Sequence, residues 1–232
     1  MRLFTLGPRL ETAAAFIPQG AMVADIGTDH ARLPIWLIKT GRCARVIASD
    51  IADVPVQRAR ENAARWGLTA QIEILQCAGF DGIDPERFTC GVICGMGGDT
   101  IAGILENALW TRDPRYTLVL QPETSAPRLR AFLYTHGYTI CRETAVLDAG
   151  RVYAVMQVRG GEDPHRDDPL YVRASAPLLT QRDEAARRYM LRVRHSLEHE
   201  MQGMEPDSDI YAQSAGLLAR LLEWEADYAQ GI

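Results

Sequence analysis

Lysine is almost absent from this chain of 232 residues, which contains 25 basic residues and a single lysine, Lys39. The rest of the basic set is arginine, whose forked guanidinium group suits phosphates and bases, although genome composition produces the same bias. Acidic residues number 30, so the net charge at pH 7 is −5. This balance argues mildly against a protein that binds polyanions in general.

Long hydrophobic runs are also missing. No apolar stretch reaches the length needed to cross a bilayer, and the N-terminus has no secretory signal pattern. The hydrophobic share of 47% and the charged share of 24% are those of a globular protein rather than a disordered one. We therefore expect a cytoplasmic protein that has no membrane partner and holds one domain plus an appendage.

Cysteine is sparse, and its spacing matches neither a disulfide framework nor a metal site. The five cysteines are Cys43, Cys77, Cys90, Cys94 and Cys141. Cys90 and Cys94 lie in or beside one apolar strand, where successive side chains alternate between faces. This arrangement argues against a metal site, and the odd number predicts reduced, mostly buried thiols.

The three-glycine fingerprint of dinucleotide sites is absent as well. Residues 22–30 (MVADIGTDH) instead run from a short apolar strand into a turn that carries Asp25, Gly27 and Asp29. A further acid, Asp50, closes the next strand, where carboxylates accept hydrogen bonds from ribose hydroxyls. A pyrophosphate would meet Asp29 unfavourably, whereas S-adenosylmethionine has no phosphate and carries a cationic sulfonium. The turn therefore favours S-adenosylmethionine over NAD.

Apolar periodicity predicts strands and helices that alternate along the first part of the chain. The predicted strands are residues 22–26, 45–49, 71–76, 88–94 and 116–120. Two further strand-like runs, 138–147 and 151–158, predict an antiparallel hairpin. An α/β order that ends in such a hairpin describes the class I methyltransferase form of the Rossmann-like sheet, whereas a dehydrogenase would continue with parallel units.

The last part of the chain changes to a helical period after a polar linker at residues 160–169. Apolar residues repeat along two segments, from Ala186 to Met204 and from Ile210 to Tyr228, the second with heptad spacing. We predict an α-helical hairpin at residues 161–232 beside a catalytic domain at residues 1–160. Two ordinary helices packed on the main domain are an equally good interpretation.

Three further features can carry substrate chemistry. The glycine-rich loop Gly95-Met96-Gly97-Gly98 follows the fourth strand and exposes backbone to a ligand, and Gln121 after the fifth strand can pair with a base edge. An arginine-rich segment is the best candidate for contact with phosphates, although a solvated helix face explains it too. Its arginines are Arg173, Arg182, Arg187, Arg188, Arg192 and Arg194.

Several motifs together resemble the TrmK family of bacterial tRNA (adenine-N1)-methyltransferases. They are residues 24–34 (ADIGTDHARLP) with the preceding Leu10, Ile17-Pro18 and Gly20, the Gly95–Gly98 loop and Leu120-Gln121-Pro122. The resemblance implies methylation of N1 of adenine 22 in tRNA, with S-adenosylmethionine as the methyl donor. It also implies a catalytic domain followed by a helical hairpin.

The resemblance assigns roles by position. Asp29 and His30 would face the methyl group and the target base. The cofactor would contact Asp25, Gly27, Asp50, Ile51, Ala78, Gly79, Gly95, Met96 and Gly97. We predict that the tRNA substrate contacts Arg32, Gln121, Arg182, Arg187, Arg188 and Arg192.

Two positions depart from the family pattern. Cys77-Ala78-Gly79-Phe80 stands where the family has Gly-Asp-Gly-Leu, so an acid near the cofactor is missing, and Asp81 lies three residues later. Glu123 replaces an asparagine after Gln121-Pro122. Two alternatives therefore stay open: a methyltransferase for another RNA or a small molecule, and a tRNA-binding module without turnover.

Overall fold

The fold is built from seven strands and nine α-helices, described by a computed structural model for residues 2–230. The strands are β1 Val23–Ile26, β2 Val46–Asp50, β3 Ile72–Gln76, β4 Cys90–Gly97, β5 Thr117–Thr124, β6 Tyr138–Asp148 and β7 Arg151–Gly160. The helices are α1 Pro8–Phe16, α2 Arg32–Lys39, α3 Asp53–Arg65, α4 Gly98–Glu106, α5 Ala126–Thr135, α6 Pro169–Arg173, α7 Ala176–Leu179, α8 Glu184–Met201 and α9 Asp209–Gln230.

All seven strands form one sheet in the order β3-β2-β1-β4-β5-β7-β6. Strands β1 to β5 are parallel, while β7 runs antiparallel to both β5 and β6. The order reverses between β1 and β4, and ligands bind at such a switch point in open α/β sheets. The predicted class I methyltransferase fold and its terminal hairpin are confirmed.

The central strands are buried on both faces, as expected of a parallel sheet covered by helices. Alternate residues of each strand enter opposite apolar layers. Ile26, Ile93 and Leu120 belong to the layer that includes α4 and α5 residues, while Val92 and Val119 pack with Leu37 of α2. Because both layers are apolar, polar side chains at the carboxyl ends of these strands are brought to one edge.

Strands β4 and β5 extend further than the sequence pattern predicts. Residues 95–97 belong to β4, so their prediction as a loop is wrong, and α4 begins at Gly98. The two strands stay paired beyond Cys94, with Met96 opposite Pro122 and a register irregularity on each side of that pair. Glycine and proline weaken the strand signal in sequence, although pairing with a neighbouring strand preserves the element here.

The C-terminal helices α8 and α9 pack against each other, and α8 also contacts β6 and β7. Leu197 of α8 and Leu221 of α9 join the same apolar cluster as residues of the sheet. These contacts favour the interpretation of helices packed on the main domain. Ile210 is an exception to the predicted seam because it is 63% exposed. The division of the chain at residue 160 stays a prediction.

Membrane-spanning helices and disulfides are both absent from the described part of the chain. Within residues 2–230, no helix is long and apolar enough to cross a membrane. The five cysteines of this described part are free thiols. Cys43 and Cys90 are buried, Cys77 and Cys94 are partly buried, and Cys141 is exposed, so the prediction of mostly buried thiols holds for only some of them.

Candidate active site

A cleft of about 480 Å³ opens at the carboxyl ends of β1, β2, β4 and β5. The topology brings many of the predicted residues to it, because parallel strands end at a common edge. The predicted residues that line it are Asp25, Gly27, Asp29, Arg32, Asp50, Gly95, Met96 and Gln121. Arg9, Leu10, Leu33, Cys94 and Glu123 complete its lining.

Asp25 is the buried acid of this cleft, with 5% of its surface exposed. The pKa of its carboxyl is raised to about 6, mainly because burial penalises the charged form; Thr28 opposes this rise, and the charge of Asp50 adds to it. An ionised carboxylate in this position is poorly solvated and gains from a cationic ligand group. The floor of the cleft therefore favours a ligand that carries positive charge.

Two glycines let the backbone approach a ligand at this edge. Gly27 adopts a φ of +77°, and a Cβ atom placed there would lie 2.0 Å from the Met96 methyl carbon. Gly95 has a φ of +80°, and its amide donates to the Gln121 side-chain oxygen at 3.1 Å. Side chains at either position would strain the turn and, at Gly27, displace Met96.

Asp29 lies at the mouth of the cleft, where its side chain is 82% exposed. His30 and Ala31 follow with φ values of 57° and 52°, so two consecutive left-handed residues redirect the chain into α2. Such strain is concentrated at functional sites. The His30 ring nitrogen Nε2 lies 3.1 Å from a carboxylate oxygen of Asp29. The position of the acid is therefore set by the turn and by its histidine neighbour.

Helix α3 supports this turn through two residues that the sequence interpretation missed. The Asn62 side chain donates to the His30 carbonyl at 3.0 Å. The Arg58 guanidinium lies 3.4 Å from His30 Nε2. Arg58 and Asn62 are four residues apart, so both lie on one face of α3. This spacing was the signal in the sequence that could have identified them. His30 thus contacts Asp29 and α3, which suits a positioning role.

Asp50 lines the cleft, whereas the next residue, Ile51, is absent from its lining, so a contact of Ile51 with the cofactor stays a prediction. Asp50 accepts a hydrogen bond from the Ala52 amide at 2.8 Å, which fixes one carboxylate oxygen. Ile51 is 70% exposed although it is apolar. An exposed aliphatic side chain beside a carboxylate suits a ligand that has a flat ring joined to a ribose.

Gln121 connects the cleft to the N-terminal helix. It is buried, and its amide oxygen accepts from Gly95 at 3.1 Å and from Arg9 at 3.3 Å. Its amide nitrogen donates to the Pro122 carbonyl at 3.0 Å. Both polar ends therefore have protein partners, so Gln121 holds the irregular part of β4 at Gly95 in place, and its predicted contact with a base stays a prediction.

Arg9 is a second site residue that the sequence interpretation missed. Its guanidinium forms ion pairs with Glu123 and, at 2.9 Å, with Asp148, and it lies 4.6 Å from the centre of the Tyr153 ring. These partners come from β5, β6 and β7, more than 110 residues along the chain. Spacing in the sequence carries no signal of so distant an arrangement.

Comparison with known proteins identifies the family to which this chain belongs. A family model described as a methyltransferase domain matches residues 6–156. The tRNA (adenine(22)-N(1))-methyltransferase of Bacillus subtilis is 31% identical over 202 residues, which cover 86% of this chain and 84% of that protein. The chain belongs to the TrmK family.

Solved structures agree with this family over nearly the whole chain. TrmK from Bacillus subtilis has a TM-score of 0.79 at 26% identity, and the match covers 98% of this chain and 99% of that one. Streptococcus pneumoniae Sp1610 in complex with S-adenosyl-L-methionine has a TM-score of 0.80 at 28% identity, covering 93% and 97%. The C-terminal helices are therefore part of the similarity.

The loop after β3 is where this chain departs from the TrmK pattern. Ala78, Gly79 and Asp81 line a separate cavity of about 260 Å³ next to Ile104 of α4. Phe80 is buried and stacks on Phe88 with ring centres 5.5 Å apart. Asp81 is absent from the lining of the cleft. A contact of Ala78 or Gly79 with the cofactor stays a prediction.

The last predicted cofactor residue, Gly97, lies at the end of β4 against Thr124. A Cβ atom there would approach the Thr124 hydroxyl oxygen to 3.2 Å. Gly97 therefore permits close packing of β4 and β5, and its contact with the cofactor also stays a prediction.

The predicted phosphate-binding arginines of this TrmK-family chain have different surroundings. Arg187 and Arg188 both pair with Glu184 at 2.8 Å. Arg182 precedes α8, donates to the Leu179 carbonyl and lies 5.0 Å from the Trp224 ring centre. Arg192 donates to the Val152 carbonyl at 2.8 Å. The arginine-rich segment is thus not one uniform basic face.

Proposed function

We propose that this protein transfers a methyl group from S-adenosylmethionine to N1 of adenine 22 in tRNA. The observation that carries the proposal is the placement of three acids in one cleft. Asp25 and Asp50 lie along its inner wall, and Asp29 lies exposed at its mouth. The inner pair suits a cationic cofactor, and the outer acid suits a substrate that arrives from solvent.

The residues present fit S-adenosylmethionine. Asp25 offers a carboxylate to a cationic group, and Asp50 offers one to ribose hydroxyls. A Cβ atom at Gly27 would collide with Met96, so this glycine lets Met96 pack against the turn at the cleft, whereas the space around Gly95 is open. When bound, the cofactor supplies an electrophilic methyl group on a sulfonium sulfur.

Asp29 is the residue best placed to act on the target base. N1 lies on the base-pairing edge of adenine, so the base must be unpaired or turned out of its stack to reach the cleft. A carboxylate at the mouth can accept a hydrogen bond from the exocyclic amino group and stabilise positive charge that develops on the ring. The same carboxylate can also accept a proton from that amino group. His30 and Asn62 hold the turn that carries Asp29, so they contribute to catalysis by positioning this acid.

A second candidate is methyl transfer to another RNA or to a small molecule. The net charge of −5 and the pairing of Arg187 and Arg188 with Glu184 favour it, because they reduce the general attraction to polyanions. A steep fall of tRNA affinity with salt supports the tRNA assignment, and a negligible dependence supports the alternative. With tRNA as the substrate, we propose that the protein acts in the cytoplasm.

The decisive experiment is incubation of the full chain with methyl-labelled S-adenosylmethionine and bulk tRNA, followed by mapping of the modified nucleosides. We expect label in 1-methyladenosine at position 22. Label at another nucleoside would redirect the assignment within the methyltransferases. Cofactor binding without transfer to any RNA would contradict the proposal.

A further inference from the structure

A second cavity of about 220 Å³ lies beside the cleft, between the end of β5, the start of β7 and helix α8. We call it the flanking cavity. Its lining comes from residues 122–127, residues 152–154 and the side of α8 that carries Tyr189, Arg192 and Ser196, together with Arg173. Glu123 lines both this cavity and the cleft.

The wall between the two spaces is an ion pair against an aromatic ring. Glu123 is paired with Arg9 from the cleft side. The same guanidinium lies 4.6 Å from the ring centre of Tyr153, which lines the flanking cavity. The negative charge of Glu123 is therefore partly compensated at the wall, since Arg9 also pairs with Asp148, and an anion in the flanking cavity does not face an isolated carboxylate.

Two arginines line the flanking cavity: Arg173 is paired with Glu200, and Arg192 is the one available to a ligand. One nitrogen donates to the Val152 carbonyl at 2.8 Å, and the guanidinium lies 4.7 Å from the Tyr189 ring centre. Arginine has five N–H donors in a planar fork, so this single bond leaves donors available. Within residues 2–230, Arg192 forms no ion pair with an acid, whereas Arg187 and Arg188 on the same helix share Glu184.

A fully buried network fixes the walls of this cavity. Arg130 has no exposed surface and forms an ion pair with Glu143, which is also buried. The same guanidinium donates to the Tyr189 hydroxyl at 2.7 Å and to the Arg173 carbonyl at 2.8 Å. Both of these residues line the flanking cavity, so the buried network holds the surface under Arg192 in place.

We propose that the flanking cavity binds the ribose-phosphate of the nucleotide next to the methylated adenine, with Arg192 donating to its phosphate. The guanidinium fork matches phosphate oxygens. The shared Glu123 wall places this contact directly beside the cleft that takes the target base. This inference rests on the proposed function, because it assigns part of the same RNA substrate to a second space.

The test compares Arg192→Ala and Arg192→Lys with Arg45→Ala, a matched loss of one positive charge. Arg45 precedes β2 at the opposite, amino-terminal edge of the sheet. Binding of tRNA is measured over a salt series with S-adenosylhomocysteine present, and kcat and KM for tRNA are measured at saturating S-adenosylmethionine. Thermal midpoints and cofactor affinity report whether each variant is folded.

We expect Arg192→Ala to raise the Kd and KM for tRNA about tenfold, the scale of a lost charged hydrogen bond. The salt slope should fall by about one, with cofactor affinity unchanged. Arg192→Lys should restore the salt slope but not the full affinity, because lysine keeps the charge without the fork. If Arg192→Ala lowers the thermal midpoint, the comparison of Arg192→Lys with the wild type decides the test instead.

The inference is overturned if Arg192→Ala binds tRNA as Arg45→Ala does, since both variants would then report overall charge alone. It is also overturned if Arg192→Lys equals the wild type in KM, because a fork to phosphate would not be in use. Failure of the proposed function looks different: the wild-type protein would bind cofactor and methylate no tRNA.

Discussion

The cleft and the flanking cavity share Glu123 but differ in charge and in construction. The cleft is lined by four acids, of which Glu123 is paired with Arg9, and by two glycines with left-handed backbone, so it suits a cationic small molecule. The flanking cavity presents Arg192 above an aromatic ring and is supported by a buried ion pair. Two neighbouring spaces with different charge can thus serve one reaction. The cleft would hold the methyl donor, and the flanking cavity would position the RNA that accepts the methyl group.

The largest expected effect belongs to the cleft. Asp29→Ala should lower kcat for tRNA methylation by about 100-fold or more, the scale of a lost acid–base group. S-adenosylmethionine affinity should stay within about twofold, because Asp29 lies at the mouth rather than along the inner wall. Single-turnover methylation and calorimetry measure the two quantities, with Asp167→Ala as an exposed control. Unchanged turnover in Asp29→Ala would remove this residue from the mechanism.

The next effect tests the support of the flanking cavity. Glu143→Gln leaves the buried Arg130 charge without its counterion, which should lower the free energy of unfolding by about 3 kcal/mol. Urea denaturation followed by circular dichroism measures it. Glu184→Gln is the control, because its ion pairs with Arg187 and Arg188 are exposed and should contribute little. Equal stability of the two variants would show that the buried network does not brace the fold.

A smaller effect concerns the pH response of the cleft. The pKa of Asp25 is raised to about 6 by burial, so its carboxylate takes up a proton as the pH falls through 6. Affinity for the cationic cofactor should therefore fall about tenfold between pH 7 and pH 5. Calorimetric titration across this range measures it. In Asp25→Asn the affinity should be lower at pH 7 and nearly flat with pH; a retained tenfold change would assign the titration to another group.

The smallest expected effect sharpens the contrast along α8. Arg187→Ala and Arg188→Ala should each change tRNA affinity by about twofold or less, because Glu184 already compensates both charges. Filter binding at two salt concentrations measures this, beside Arg192→Ala. A larger loss at Arg187 or Arg188 than at Arg192 would move the RNA contact to the outer face of the helix.

Much of the fold and the cleft could be predicted because their signals are local. Asp50 ends β2, Asp25 lies one residue before the end of β1, and the terminal hairpin encloses a turn at Ala149-Gly150. Parallel topology then brings strand ends together without further information. Predicting these features requires the apolar pattern of each segment and the rule that parallel strands end at a common edge of the sheet.

The remaining features depend on contacts between distant segments. Arg9 meets Glu123 and Tyr153, and Arg130 meets Glu143 and Tyr189, across separations that no periodicity encodes. The ends of β4 and β5 were missed for a related reason, since their pairing outweighs the weak strand preference of glycine and proline. Tertiary packing, rather than local preference, decided all of these.

The Glu123 wall has a consequence for the order of events in catalysis. A nucleotide that shifts this carboxylate from one side changes the surroundings of the ligand on the other side. The two occupancies are then linked, and the factor by which tRNA alters cofactor affinity must equal the factor by which the cofactor alters tRNA affinity. A single ion pair thus becomes the point through which occupancy of one space can influence occupancy of the other.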